Sequence, residues 1–351
     1  MCFARSMMES RRTCLLAGAA ALLSGCARRA PPARRKGVLD DARLDGRGGK
    51  IAAAVAPAAF GAGVMLPEGT QSWFLQRSSR FPLAGAAKLP IAAAAFAQVD
   101  AGTLNIDRRI RITDLDLSPP PSAINRRWPD PPQGHAAEMP AIDLIALALQ
   151  RGDDTACDVI LAAIGGPGAV TAWLQGHGVT DMRVDRYDRQ RREAMAGMGT
   201  FEAAWKDEAA WLAARDEVPA EARQSAMNAY ISDPRDTTTP EAAILFLYKL
   251  ALGQLLSTKS TNLLLTLMET TRSETPLLAA GLPAGARFFH AGAATPTDLG
   301  FTPATVDMGI ARLADGTRFL ITGLLSGSIA TAASREKTMA GFARLAVGAI
   351  G

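Results

Sequence analysis

The sequence predicts a mixed α/β (α+β) fold of two lobes. One antiparallel sheet of about five strands carries helices from both chain ends, and an all-helical lobe is inserted between its strands. The 351 residues are 48% hydrophobic and 21% charged, which allows a sizeable core. Strand patterns occur near the two ends of the folded chain, and helical patterns fill its middle. Because a two-stranded ribbon is only marginally stable alone, we expect strands from both ends to pair in one sheet.

The first 26 residues are typical of an export signal. Arg11 and Arg12 precede an apolar run over residues 14–23 that is too short to cross a membrane. The segment Leu23-Ser24-Gly25-Cys26 resembles the processing box of bacterial lipoproteins, which implies that Cys26 becomes the acylated first residue. A plain secretory signal that ends in a chance cysteine is the alternative. We therefore predict an exported lipoprotein, anchored in membrane lipid through Cys26 and facing the periplasm.

Outer-membrane sorting is preferred, because the residue after Cys26 is Ala27. An Asp at that position would resemble an inner-membrane retention signal. The formal net charge of +4 comes from the same end of the chain. Residues 1–26 carry +2 and residues 27–36 carry +5, so residues 37–351 carry −3. We predict a basic Pro/Ala tether over residues 27–45, and no nucleic acid partner.

Cysteine and histidine usage predicts no metal site and no cofactor. In a processed chain, Cys157 is the one cysteine besides Cys26, so no intramolecular disulfide is expected. The three histidines have no metal-ligand spacing among themselves.

The N-terminal elements are a helix and a hairpin. Residues 50–60 are rich in Ala and predict a helix. Residues 63–66 and 72–75 predict two strands with a turn between them. An apolar helix follows, in which Lys88 is the one charged side chain. Since burying an ammonium is costly, Lys88 either faces a polar cleft or reaches solvent along its aliphatic stem.

Helical patterns dominate the middle of the chain. The Pro-rich segment 119–140, which contains Trp128, predicts an extended loop. Helices are then predicted over residues 142–149, 155–164, 169–174, 240–256 and 258–270. Between the helix at 169–174 and the helix at 240–256 lies a connection, residues 183–240, that is longer than a compact domain normally leaves unstructured. Part of this connection is predicted to be helical, with Phe201, Trp205 and Leu212 near one face and Trp211 beside them.

The C-terminal elements complete the sheet. Residues 305–310 and 318–325 flank the hairpin signal Ala314-Asp315-Gly316, and residues 330–350 predict a closing helix. The predicted organisation is a signal over 1–26, a tether over 27–45, an α/β lobe from 46–82 and 283–351, and a helical lobe over 83–282 with an insert at about 189–233.

Several segments in this order resemble the class A serine beta-lactamase and penicillin-recognising family. The matching segments are Arg80-Phe81-Pro82 through Lys88-Leu89, Asp100-Ala101-Gly102, Gly165-Gly166-Pro167 through Trp173-Leu174, Arg183 to Tyr187, Pro234 to Pro240, and Gly281 to Gly285. The resemblance covers most of residues 46–351 and implies the two-lobe fold of that family, with a catalytic cleft between the lobes.

The first catalytic position that the resemblance implies is the Ser-x-x-Lys motif. Its Lys corresponds to Lys88, but its nucleophile corresponds to Gly85, which has no side chain. Acyl-enzyme formation by this route is then impossible. The segment Ser334-Arg335-Glu336-Lys337 has the same spacing but falls in the closing helix, and we interpret it as a chance match.

The second and third positions also depart from the family. Its Ser-Asp-Asn motif corresponds to Gly152-Asp153-Asp154, so the proton-relaying Ser is lost while Asp153 keeps the carboxylate that holds a loop. Asp154 replaces an amide with a carboxylate. The Glu that activates the deacylating water corresponds to Asp188, one methylene shorter, and the Asn four residues later corresponds to Arg192.

The fourth position is the Lys-Thr-Gly motif of the pocket strand. It corresponds to His290-Ala291-Gly292 if one residue is deleted after Gly285, and to Ala291-Gly292-Ala293 without a gap. In either register the fixed cation is lost, since a histidine is only partly charged near neutral pH. By contrast, Arg186 and Asp236 match the pair that closes the family's omega loop.

Loss of the catalytic groups on a retained scaffold favours a beta-lactamase-like pseudoenzyme with a binding or scaffolding role toward an unknown protein or cell-wall ligand. Nucleophile loss alone lowers the rate of serine hydrolases by about 10⁴–10⁶. Lys88 and Asp188 are then vestigial, and Lys88 is expected to pair with Asp154 or Asp188. The insert would cover the old pocket, present a partner surface, or form a solvated excursion.

The alternative is an active hydrolase of the beta-lactamase or peptidase class, with a beta-lactam or cell-wall peptide as substrate. Lys88, Asp154, Asp188 or His290 would supply acid and base groups in a non-standard mechanism.

Overall fold

The computed structural model describes residues 37–68, 71–119, 122–127, 136–199, 202–271 and 275–351. The predictions for residues 1–36, Trp128 and Phe201 lie outside these ranges. The strands are β1 (Ala59–Leu66), β2 (Gln71–Leu75), β3 (Phe81–Pro82), β4 (Arg109–Thr113), β5 (Ala136–Pro140), β6 (Thr237–Thr238), β7 (Arg287–Ala294), β8 (Thr302–Arg312) and β9 (Arg318–Ser328). Five of them form the predicted antiparallel sheet, in the order β2-β1-β9-β8-β7.

The helices are α1 (Asp41–Ala54), α2 (Lys88–Asp100), α3 (Ala123–Arg127), α4 (Ala141–Arg151), α5 (Asp154–Ala163), α6 (Pro167–Gly176), α7 (Asp188–Ala196), α8 (Glu208–Glu217), α9 (Ala220–Ser232), α10 (Pro240–Ala251), α11 (Thr258–Glu269) and α12 (Ala332–Ala349). A 3₁₀ turn, Ala84–Ala87, leads into α2. Among the described residues, no single helix is long and apolar enough to cross a membrane. The pair α5 and α6, bent by 69°, meets that test only when taken together.

Two apolar cores lie on opposite faces of the sheet. On one face, α1 and α12 pack against alternate side chains of the strands, and Phe342 of α12 contacts Phe60 of β1 in a core that also contains Phe319 of β9. On the other face, α2, α4, α5, α10 and α11 bury a larger core around Phe96 and Phe246. The predicted arrangement of one sheet, terminal helices and an inserted helical block is confirmed. Because side chains alternate along each strand, the register decides which core a strand residue joins.

The first helix is displaced from its predicted position. Asp40 caps its N-terminus by accepting a hydrogen bond from the Arg43 amide at 3.0 Å, so residues 41–45, assigned to the tether, are helical. The helix ends before Pro57, which has no amide hydrogen to continue it. The prediction of helix through Phe60 is therefore wrong, since residues 59–60 already belong to β1.

The long connection contains α7, α8 and α9, so the prediction that part of it is helical is confirmed. Its side chains pack inward: Trp205 and Trp211 are buried with Ala196, while Leu212 is exposed, contrary to the predicted shared face. On α9, Arg223 pairs with Asp298 at 2.8 Å. The insert is thus a packed part of the structure rather than a solvated excursion.

Smaller differences concern the Pro-rich segment. Its described parts include the short helix α3 and the strand β5, which pairs with β4. The extended-loop prediction for residues 119–140 is therefore wrong for these two elements. The closing helix, the hairpin between β8 and β9 and the helices α4 to α6 lie close to their predicted positions.

Candidate functional site

Lys88 begins α2 and is buried, with 5% of its surface exposed. Its ammonium donates a hydrogen bond to Oδ1 of Asp154 at 2.7 Å and forms an ion pair with Oδ2 of Asp188 at 2.9 Å. Both carboxylates stand at the first position of their helices, α5 and α7, where the helix dipole favours negative charge. The structure therefore joins Lys88 to both predicted acidic partners, which offset the cost of burying the cation.

Two arginines complete this group. Arg191 pairs with Asp188, and its Nη1 donates to the carbonyl oxygen of Ala84 at 2.6 Å. Arg192 lies 3.1 Å from Oδ2 of Asp154, and its guanidinium stacks over the Trp211 ring. Burial alone would raise the pKa of Asp154, but Lys88 and Arg192 outweigh it, and the pKa is lowered. We call Lys88, Asp154, Asp188, Arg191 and Arg192 the lysine cluster.

A second buried carboxylate, Asp158, holds the start of α7 against α5. It accepts hydrogen bonds from the Asp188 amide at 2.6 Å, the Arg189 amide at 3.1 Å and the Ser118 hydroxyl at 2.7 Å. Burial raises the pKa of Asp158 to about 6. Sequence reasoning missed this residue, although its position one helical turn after Asp154 in an apolar helix was a usable signal.

Cys157 and Glu193 are two further buried titratable groups nearby. Cys157 is fully buried on α5, and burial raises the pKa of its thiol to about 12. Glu193 on α7 is 6% exposed; its Oε1 has no hydrogen-bond partner among the described residues, and burial raises its pKa to about 7. Among the described residues, neither side chain forms a hydrogen bond with Gly85.

The donor set around Cys157 does not fit a metal ion. Sulfur and oxygen atoms of Cys157, Asp158 and Asp188 lie within 4.8 Å of one another. However, the carboxylate of Asp188 already faces Lys88 and Arg191, and that of Asp158 accepts two amides and a hydroxyl. A cation placed there would compete with these protein cations and donors, so this part of the chain is built as an ion-pair cluster.

Gly85 lies in the 3₁₀ turn that precedes Lys88 and packs against β7. An ideal Cβ on Gly85 would lie only 2.6 Å from the Cβ of Ala293. Carbon atoms normally approach to about 3.5–4.0 Å, so Ala293 occupies the space that a side chain at position 85 would need. The turn and the strand are in contact where a nucleophile would stand.

The Gly152-Asp153-Asp154 segment joins α4 to α5. Gly152 ends α4 in the left-handed conformation with φ +65°, which favours glycine over the serine of the family motif. Asp153 caps α5 through the Ala156 amide at 2.9 Å. It also accepts from the Ser122 hydroxyl at 3.0 Å and the Ala123 amide at 2.5 Å, so its carboxylate ties the segment before α3 to α5.

His290 and Gly292 lie away from the lysine cluster, on the other face of β7. His290 is buried beside Asp307 with Nδ1 2.8 Å from Oδ1, and its ring stacks on Phe288, which belongs to the core under α12. A Cβ on Gly292 would likewise meet Asp307. Burial lowers the pKa of His290, but Asp307 outweighs burial and the pKa is raised. Neither residue therefore joins the predicted pocket.

Ala291 and Ala293 face the helical lobe instead. Ala291 belongs to the core on that side, and Ala293 meets Gly85. Of the two registers considered, the ungapped one, Ala291-Gly292-Ala293, puts these two methyl groups toward the cluster. Neither supplies a charge or a hydroxyl.

Arg186 and Asp236 close the base of the connection. Nε of Arg186 donates to Oδ2 of Asp236 at 2.6 Å. Oδ1 of Asp236 accepts from the amides of Asp185 and Arg186, at 2.6 and 3.0 Å. The ends of this segment, 50 residues apart in sequence, are thereby held together, and α7 is fixed beside α5.

The comparisons with known proteins agree with this architecture. A family model described as "Beta-lactamase enzyme family" matches residues 50–350. A beta-lactamase from Chitinophaga pinensis is 27% identical with a TM-score of 0.69, covering 86% of this chain and 97% of its own. A reconstructed class A beta-lactamase, a last common ancestor of Gram-negative bacteria, is 26% identical with a TM-score of 0.69, covering 88% of this chain and 99% of its own.

A third structure, a beta lactamase from Xanthomonas campestris pv. campestris, has a TM-score of 0.70 at 23% identity and covers 89% of this chain and 98% of its own, which shows a shared fold. The family match spans nearly all of the described residues and includes the sheet, the helical block and the lysine cluster. On this evidence the chain belongs to the beta-lactamase enzyme family, with the fold of the class A enzymes.

Proposed function

We propose that this protein is a non-hydrolytic member of its family, an exported lipoprotein with a binding or scaffolding role. The observation that carries the proposal is the contact at Gly85. Gly85 stands at the position that corresponds to the nucleophile of the class A enzymes, and it has no side chain. Ala293 occupies the space that a side chain would need. Restoring a side chain there would require the 3₁₀ turn and β7 to separate by about 1 Å.

The state of Lys88 supports the same proposal. A lysine that manages protons must reach its substrate or nucleophile, whereas Lys88 is buried between Asp154 and Asp188. The arginines of the lysine cluster take up the remaining oxygens of both carboxylates. An ion-pair network of this kind stabilises the junction of α2, α5 and α7 and keeps the Lys88 ammonium engaged with carboxylates rather than with a reacting hydroxyl.

The lipoprotein part of the proposal rests on the signal and processing box that end at Cys26. Metabolic labelling with a radioactive fatty acid tests it, with Cys26→Ser as the control. Label on the wild-type chain and none on the variant supports the anchor. An unlabelled wild-type chain contradicts it.

Reaction with a beta-lactam tests the loss of hydrolysis. The full chain is incubated with a fluorescent penicillin and analysed by gel fluorescence and intact mass. Three proteins are compared: wild type, Gly85→Ser, and Gly85→Ser/Ala293→Gly, in which the second change removes the opposing methyl group. We expect no acyl adduct on any of them, because the relay Ser and the Lys-Thr pair are also missing. The class A relatives named above supply a positive control.

The outcomes separate the candidate functions. A stoichiometric adduct on the wild-type chain would refute the proposal and favour the alternative, a hydrolase that uses Lys88, Asp154 or Asp188 in another mechanism. An adduct only on the double variant would mean that Gly85 and its contact alone block the chemistry. In that case the remaining catalytic positions would be more intact than we propose.

A further inference from the structure

A small cavity lies at the N-terminus of α12, on the face of the sheet opposite the lysine cluster. Its volume is about 140 Å³, and it is lined by the end of α1, the end of β9 and the first turns of α12. The polar lining residues are Ser328, Ser334, Arg335 and Thr338. Within the described part of the chain, no acidic residue lines it.

Arg335 is the unusual member of this lining. It is 5% exposed, and among the described residues no carboxylate forms an ion pair with it. Nη1 donates to the carbonyl oxygen of Ala330 at 2.5 Å, and Nε is buried without a hydrogen-bond partner. A buried cation without a counter-charge is costly, and burial accordingly lowers the pKa of this guanidinium. The other buried arginines, Arg186 and Arg191, each have an aspartate partner.

Two hydroxyl groups beside Arg335 keep a proton to donate. Oγ of Ser328 accepts from the Ala330 amide at 3.2 Å, and Oγ of Ser334 accepts from the Thr331 hydroxyl at 3.0 Å. In both cases the serine's own proton is left for another acceptor. The N-terminus of the 18-residue helix α12, which has no acidic residue in its first turn, adds partial positive charge on the same side.

The geometry points to an anion-binding site in this cavity, formed by Arg335, Ser328 and Ser334, that takes one small oxyanion such as phosphate, sulfate or a phosphomonoester group. An oxyanion supplies the counter-charge that Arg335 lacks and accepts the two serine protons. This inference is independent of the proposed loss of hydrolysis, because α12 and the lysine cluster lie on opposite faces of the sheet.

Size and access fit this ligand class. The cavity is smaller than the roughly 300–1,000 Å³ of sites for drug-sized molecules, so a whole penicillin would not fit in it. It opens to solvent at a rim formed by exposed residues, among them Ser334 and Ile329, the latter 69% exposed. A free ion can enter there, and a phosphate attached to a larger molecule can reach in from outside.

Calorimetric titration of the purified full chain with sodium phosphate tests the inference, with NaCl at equal ionic strength as the control. We expect a saturable heat, and a rise in thermal midpoint that NaCl does not reproduce. At a phosphate concentration 100 times the Kd, the folded-to-unfolded ratio rises about 100-fold. Glycerol 1-phosphate distinguishes the sources: binding equal to that of phosphate assigns a phosphomonoester end group, and binding of phosphate alone assigns the free ion.

Matched variants identify the residues. Arg335→Met should weaken phosphate binding by about 10- to 100-fold, the contribution of hydrogen bonds to a charged group. Arg344→Met, at an exposed arginine of the same helix, should leave it unchanged. Ser328→Ala/Ser334→Ala keeps the arginine and should also weaken binding, which covers the case in which Arg335→Met does not fold. No saturable heat with the wild-type chain, or equal binding by the wild type and the serine double variant, would overturn the inference.

Discussion

Gly85→Ala should destabilise the protein, although alanine normally stabilises a helical turn. The new Cβ would lie 2.6 Å from the Cβ of Ala293, about 1 Å inside normal contact. Overpacking of this kind costs about 1–3 kcal/mol. Replacing glycine in a helical backbone returns about 0.5–1 kcal/mol. The centres of these two ranges differ by about 1 kcal/mol, so we expect a net loss of about 1 kcal/mol in the free energy of unfolding, measured by urea denaturation with circular dichroism.

Two controls make this test specific. Gly341→Ala places a Cβ in open space within α12 and should stabilise the protein by about 0.5–1 kcal/mol. In the double variant Gly85→Ala/Ala293→Gly the opposing methyl group is gone. Its destabilisation should be smaller than the sum of the two single changes by about 1–3 kcal/mol. If Gly85→Ala is as stable as the wild type, or if the two changes are additive, the turn and β7 are not in the contact described, and the steric reasoning fails.

Three further results are expected. Lys88→Met should lower the free energy of unfolding by about 3–5 kcal/mol, because it leaves two buried carboxylates short of a cation. Arg77→Met removes an exposed ion pair and should change the free energy of unfolding by less than about 1 kcal/mol. Equal effects of the two changes would contradict the buried pairing of Lys88. Burial raises the pKa of Glu193 from 4.5 to about 7, so the folded state holds a proton that the unfolded state releases. Stability should therefore fall as pH rises from about 4.5 to 7, by up to about 3 kcal/mol. Glu193→Gln should remove this part of the pH dependence in urea midpoints recorded across that range, and an unchanged slope would assign it to other groups. Asp236→Asn should speed proteolytic cleavage within residues 183–236, because the carboxylate that joins the two ends of the segment is lost. A wild-type cleavage pattern would mean that the packing of α9 alone holds the segment in place.

The parts of the fold that follow local rules were predictable from the sequence. Turn residues and strand patterns located the hairpins, and the need to pair marginal strands joined the two ends of the chain in one sheet. An ammonium in an apolar helix needed either a polar cleft or a path to solvent, and the family resemblance named Asp154 and Asp188 as its partners; both contact Lys88. Charge pairing in a core is a strong constraint because the unpaired state is so costly.

Other features depend on which face of a helix or strand points into the core. Local sequence patterns do not fix that face when the first residue of the element is uncertain. Arg191 and Arg192 stand in a run of arginines, and which of them turns inward depends on where α7 begins. His290 illustrates the same difficulty in a strand, because a shift of one residue moves a side chain to the other face. The start of α1 was missed because its cap, Asp40, stands next to a second aspartate in a charged segment.

The buried thiol of Cys157 allows the rate of local opening in the helical core to be measured. Burial raises the pKa of this thiol to about 12, so it is almost entirely protonated at pH 7, and its side chain has no exposed surface. An alkylating reagent can therefore modify the native chain only when α5 moves away from its neighbours. The labelling rate at Cys157 then reports how often the helices around Lys88 open, without the introduction of a new cysteine.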